Sequence, residues 1–204
     1  MSEQKPSLSA SMSVSEFDSA YFYAKDLKVF AKTLGIRVGN FRKIELEALI
    51  REFLALGNIP DAQPVLPRKQ GQSRDQLSSE KQVINYVGDK KTKAFLLELV
   101  KAEDPNVKAK SGQWYWLNDW RRKQQETKTS FTYQDVANKL LELMQTAGRL
   151  PQIPSARMNN FITDFRADPT NSCASREQIM AAWEHLKGTS GPKTYEAYKG
   201  LKSI

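Results

Sequence analysis

The residues best suited to chemistry lie between positions 35 and 43, GIRVGNFRK. Arg37, Arg42 and Lys43 supply cations, Gly39 lets a backbone approach closely, and Asn40 can donate to phosphate or cap a helix. An amphipathic stretch follows at once, so the segment leads into a helix N-terminus with unpaired N–H groups and partial positive charge. Phosphate binds readily to such an arrangement, and the arginines and lysine would add charge-assisted contacts. Upstream, Lys25, Lys28 and Lys32 recur at spacings of three and four, which lines them along the outer face of the preceding helix. The chemistry offered is recognition of a polyanion. The competing reading is a small helical hairpin whose charges only keep it soluble.

Little else in the chain is equipped to make or break bonds. Cys173 is the only cysteine and His185 the only histidine, which excludes an intrachain disulfide and a zinc site built by this chain alone. Any Cys-His or Ser-His-Asp arrangement would need His185, which sits beside Trp183 and Leu186 in a helix-like stretch and reads as an ordinary helical residue. Cys173 lies in the polar run DPTNSCAS without a close basic cluster to activate its thiol. Asp119 and Asp164 occupy equivalent positions in two similar segments, which suggests helix structure more than acid–base work. Neither a P-loop nor a dinucleotide-binding glycine fingerprint is present. The expectation is a protein that is not an enzyme and carries no cofactor.

These cations need elements to position them. Leu27, Phe30, Ala31 and Leu34 follow helical spacing, and Gly35 offers a stop; Leu46, Leu49, Ile50, Phe53 and Leu54 repeat the pattern before Gly57. Ser13 to Glu16 has capping-box spacing ahead of an aromatic cluster, Phe17, Tyr21, Phe22 and Tyr23. Those aromatics are expected to cover the helical pair, which alone buries too little apolar surface. Residues 1–12 are serine-rich and expected to be a mobile tail. The expected boundaries are therefore a small helical domain at 13–57, a proline-, glutamine- and serine-bearing linker at 58–80, and a helical domain at 81–204. Pro64 to Pro67 has PxxP spacing and reads as a spacer.

The first domain resembles the SAP motif, a helix–turn–helix unit of chromatin and RNA-processing proteins. The residues that carry the likeness are Leu27, Lys28, Lys32, Leu34, Gly35, Ile36, Gly39, Asn40, Arg42, Lys43, Glu45, Leu46, Leu49 and Ile50, about a sixth of the chain in extent. The resemblance implies binding of double-stranded DNA, and in some members RNA, through the turn and the start of the second helix. Carried over, it selects Arg37, Gly39, Asn40, Arg42 and Lys43.

In the larger domain, Trp116 to Arg121 matches Phe161 to Arg166 in character. Each segment precedes a Thr or Ser suited to N-capping, Thr132 and Ser175, and then an amphipathic helix. The segments 113–146 and 157–187 read as two similar helical hairpins. Residues 151–201 also resemble an HMG box, on Pro154, Phe161, Phe165, Arg166, Pro169, Ser175, Glu177, Ile179, Trp183, Lys193, Tyr195 and Tyr198. That likeness implies minor-groove binding with an apolar wedge. Residues 151–204 hold seven Lys or Arg against five Asp or Glu, a small phosphate-binding footprint.

A secondary nucleic-acid candidate is Trp114 with Arg121, Arg122 and Lys123, since aromatics beside cations can stack unpaired bases. Helical spacing puts Trp116 and Trp120 in the core and leaves Trp114 as the exposed platform.

The chain carries a net charge of +8 and a pI near 9.5, which favours acidic partners. Its 40% hydrophobic residues can fill a core, so global disorder is excluded. No segment alternates apolar and polar residues with β-branched enrichment, so the expected fold is all-α, with about eight helices. The sequence shows neither a signal peptide nor a membrane span, which predicts a cytoplasmic protein, nucleoid-associated if bacterial and nuclear if eukaryotic. The partner expected is nucleic acid, DNA ahead of RNA, bound with little sequence preference and without a membrane. The alternative is a protein–protein adaptor that uses the helical hairpins as grooves, with an exposed apolar patch around Tyr195, Tyr198 and Leu201.

Overall fold

Ser13 begins the first helix by the mechanism its spacing predicts. Its hydroxyl accepts the Glu16 N–H at 3.1 Å, and the Glu16 carboxylate takes the Ser13 N–H at 2.7 Å. The same local logic runs along the computed structural model, which describes residues 7–61, 73–127 and 129–202. Among those residues the fold is all-α: α1 (Val14–Ser19), α2 (Ala24–Thr33), α3 (Lys43–Leu56), α4 (Lys90–Glu103), α5 (Gln113–Glu126), α6 (Tyr133–Gln145), α7 (Arg157–Ala167), α8 (Arg176–Gly188) and α9 (Tyr195–Lys202). A 3-10 turn, Pro169–Asn171, lies between α7 and α8. None of these helices is long and apolar enough to cross a membrane.

Contacts divide the chain into two units. The first joins residues 1–67 to residues 154–204; the second is residues 68–153. The sequence-based boundaries group the chain differently, with 154–204 attached to 81–153. The similar hairpins 113–146 and 157–187 thus fall in different units. Residues 62–72, which include the PxxP spacing, lie outside the described residues, as do residues 1–6 of the expected tail.

In the first unit, α1, α2 and α3 close over Phe17, Leu27, Phe30, Ala31, Leu34, Ile36, Leu46, Leu49 and Ile50. Leu8 and Met12, from the segment assigned to a tail, pack against this cluster. A second cluster holds Phe161, Phe165, Ile179, Trp183, Leu186, Tyr195 and Tyr198 from α7, α8 and α9. The N-terminal aromatics serve both. Phe17 and Phe22 stack at 5.6 Å over the first cluster, whereas Tyr21 meets Trp183 edge-on at 4.9 Å.

In the second unit, α6 packs against both α4 and α5. Its start is marked by Tyr133, which lies 6.1 Å from Phe95 of α4; its end meets the end of α4, where the Gln145 amide donates to Asp104. α4 and α6 therefore run parallel. Residues 73–80, which composition assigns to the linker, belong to this unit. The reason is Asp75: its buried carboxylate accepts the N–H groups of Ile84 and Asn85 at 2.9 and 3.0 Å and the Tyr133 hydroxyl at 3.1 Å. Burial, and then the neighbouring Asp75 charge, hold the Tyr133 phenol well above its ordinary value of 10.0.

Candidate nucleic-acid interface

The turn between α2 and α3 is built by its apolar residues. The N–H groups of Leu34, Gly35 and Ile36 bond back to Phe30, Lys32 and Ala31, and Gly35 adopts φ +80°, the left-handed conformation that closes a helix end. Ile36 is buried, and Val38 and Phe41 pack against the same cluster. The Phe41 N–H donates to the Val38 carbonyl at 3.2 Å, so residues 38–41 form a tight turn with Gly39 and Asn40 exposed at its tip. Gly39 takes φ +27° there.

Around this tip the sequence candidates separate into two groups. Lys28, Lys32 and Arg37 are exposed, and none makes an ion pair among the described residues. Lys25 on the same helix is exposed as well. Arg42 and Lys43 differ. The Arg42 Nε donates to Glu45 Oε1 at 2.7 Å, and the Arg42 backbone N–H donates to Glu45 Oε2 at 2.6 Å. Glu45 thus supplies one half of a capping box; arginine has no acceptor with which to supply the other. A carboxylate already stands where the sequence offers the start of α3 to a phosphate.

Lys43 points into the first unit. Its Nζ lies 4.0 Å from the centre of the Tyr21 ring and 3.6 Å from Glu47 Oε1, and only 14% of its side chain is exposed. Arg157 of α7 reaches the same Glu47 oxygen at 3.6 Å and donates to the Ala20 carbonyl at 2.9 Å. Burial pushes the Lys43 ammonium below its ordinary value; Glu47 opposes that shift and Arg157 reinforces it. Lys187 adds a second cation–aromatic pair, 5.5 Å from the Tyr23 ring. The sequence put Lys43 beside Arg42 without showing that α3 would turn this position toward Tyr21 and α7. The aromatic cluster Phe17, Tyr21, Phe22 and Tyr23, expected to cover the helical pair, is the one hint it contained.

The secondary candidates are also occupied. Arg121 donates to Asn118 and Gln125, both at 2.8 Å, and lies 4.7 Å from the Tyr86 ring. Arg122 is buried, and Lys123 pairs with Asp119 at 3.0 Å. Trp114 is half-buried against the second-unit core, with Lys93 Nζ 5.2 Å from its ring.

The expected roles of Trp114 and Trp116 are corrected, while Trp120 lies on the core as its spacing predicts. Trp114 and Trp120 pack on the core, whereas the Trp116 indole N–H donates to the Pro151 carbonyl at 2.9 Å. Gln113, Leu117 and Arg122 are the buried residues of α5, and Trp116, although it shares the helical spacing of Gln113 and Trp120, is not among the aromatics packed on this core. Trp116 is consequently no counterpart of Phe161, which is buried. The apolar patch expected around Tyr195, Tyr198 and Leu201 is not formed either. Both tyrosines are buried, and Leu201 alone is exposed. The Tyr195 hydroxyl donates to Asp168 at 2.9 Å, which ties α9 to the turn after α7.

Comparison with known proteins finds no matching family model, no matching curated protein and no matching solved structure.

Proposed function

We propose that this protein is a non-enzymatic nucleic-acid-binding protein directed to DNA. In this reading Lys28, Lys32 and Arg37 contact phosphates, and the backbone at Gly39 and Asn40 approaches the strand. The observation that supports it is the turn itself. Its apolar residues are spent on the core, Gly39 and Asn40 are exposed at its tip, and Arg37 in the turn and Lys28 and Lys32 on α2 are exposed with no acidic partner among the described residues. Contacts of this kind go to the sugar–phosphate backbone, so sequence preference is weak and salt dependence strong. Arg42 and Lys43 act by holding the start of α3 in place and touch no phosphate.

The test is fluorescence anisotropy with a labelled duplex, titrated at several salt concentrations. Changing Lys28, Lys32 and Arg37 together to Ala is expected to reduce the slope of log affinity against log salt by roughly 2.7, equivalent to three phosphate contacts. Unchanged affinity and slope in that variant would remove the assigned face. A matched RNA duplex, expected to bind more weakly, tests the preference for DNA.

A further inference from the structure

The positive charge of this chain is not where the turn is. Residues 1–67 hold eight Lys or Arg and eight Asp or Glu. Residues 68–153, the second unit, hold sixteen Lys or Arg against ten Asp or Glu. Six of those ten carboxylates are committed to the unit's own groups. Asp75 takes two backbone N–H groups and the Tyr133 hydroxyl; Asp89 takes the Thr92 N–H and Arg74; Asp104 takes the Asn106 N–H and Gln145. Asp135 caps α6, Asp119 pairs with Lys123, and Glu142 pairs with Lys139. Lys81, Lys90, Lys91, Lys101 and Lys108 are exposed and make no ion pair among the described residues.

We infer that the second unit carries a separate phosphate-contacting surface, formed by Lys81, Lys90, Lys91 and Lys93 at the end of the bundle where α4 and α6 begin. This inference rests on the nucleic-acid reading of the protein. Backbone contacts bring these residues to one end. The Lys81 carbonyl accepts the Tyr133 N–H at 3.0 Å, Gln82 bridges to Thr132, and Tyr86 stacks on Tyr133 at 6.3 Å. The chain then enters α4 directly at Asp89. Lys93 extends the surface toward Trp114. Glu80, Asp89 and Asp135 are the exposed acids at this end; Asp89 is engaged by Arg74 and Thr92, and Asp135 by Thr132.

A surface of mostly exposed lysines beside one half-buried indole suits a phosphate backbone. An anionic membrane would call for an amphipathic helix with its apolar face presented. Here α4 and α6 bury those faces in the core, and Ile84 is the exposed large apolar residue at this end.

The experiment uses the full chain and a labelled DNA duplex, with salt varied from about 50 to 200 mM, a range in which phosphate contacts dominate affinity. Two triple variants are compared, Lys81→Ala, Lys90→Ala, Lys91→Ala and Lys28→Ala, Lys32→Ala, Arg37→Ala. The first is expected to lower the salt slope by roughly 2.7, so that wild-type binding falls about 40-fold more than the variant's across that range. Its melting temperature should match the wild type, since the altered side chains are exposed and unpaired. A wild-type slope in this variant, with a reduced slope in the turn variant, overturns the second surface and leaves the proposed function standing. Failure of the wild type to bind duplex at the lowest salt overturns that function and this inference with it. Phosphatidylserine vesicles that bind wild type but not the Lys81, Lys90, Lys91 variant, while duplex binds both equally, would also overturn the inference and assign the surface to lipid.

Discussion

Lys43 and Arg37 stand on either side of the same turn, yet their replacement should have opposite consequences. Lys43 Nζ lies 4.0 Å from the Tyr21 ring centre and 3.6 Å from Glu47 Oε1. A largely desolvated cation–π contact is worth about 1–2 kcal/mol. The ion contact adds little net stability after desolvation, and Arg157 remains 3.6 Å from Glu47 when the lysine is gone. The desolvation that lowers the Lys43 pKa offsets part of this, so Lys43→Ala should destabilise the first unit by less than about 1–2 kcal/mol, read as a lower denaturant midpoint. Duplex affinity and salt slope, measured well below the transition, should not change. Arg37→Ala should leave stability within about 0.5 kcal/mol. It should reduce the salt slope by roughly 0.9 and weaken binding at 0.1 M salt about eightfold.

The depressed Lys43 value adds a pH signature to this comparison. The unfolded chain retains a proton up to the ordinary value of 10.5, whereas the folded chain releases it earlier. In that interval the unfolded state binds more protons, so stability contributed by this group rises with pH, and Lys43→Ala should abolish the rise. A Lys43→Ala protein of wild-type stability with a reduced salt slope would refute the reasoning, because it would put the ammonium on the ligand.

Glu45→Ala should cost about 1 kcal/mol through loss of the α3 cap. It should also tighten duplex binding, because it removes a carboxylate from the turn and releases the Arg42 Nε; anisotropy and a denaturant titration on the same protein read both effects. Gly35→Ala should destabilise by about 1 kcal/mol or more, since φ is +80° and the new Cβ would stand 2.9 Å from Ile59 Cδ1. Tyr133 should make the second unit sensitive to alkali. Its phenol stays protonated in the folded state above pH 10, where the unfolded chain ionises, so stability falls as pH rises past that value. Tyr133→Phe should flatten the fall and cost about 1 kcal/mol at neutral pH, because the Asp75 carboxylate keeps its two backbone donors.

Local order was legible along much of the chain because its causes are local. Apolar residues at three- and four-residue spacing marked the helices, Ser13, Thr132 and Ser175 marked their starts, and Gly35 and Gly57 marked two of their ends. Each depends on the chain's own backbone within a turn or two, so sequence alone determined the all-α class and the exposed cations Lys28, Lys32 and Arg37. The tertiary structure decided what those helices do to one another. Asp75, in a stretch that reads as linker, is held by donors nine to fifty-eight residues away. Tyr195 and Tyr198 vanish into a core shared with α7 and α8. Lys43 is drawn off the basic turn by Tyr21, Glu47 and Arg157, partners from three separate segments. Burial and long-range pairing of charge depend on which segments meet in space, and no spacing rule along one segment encodes that meeting.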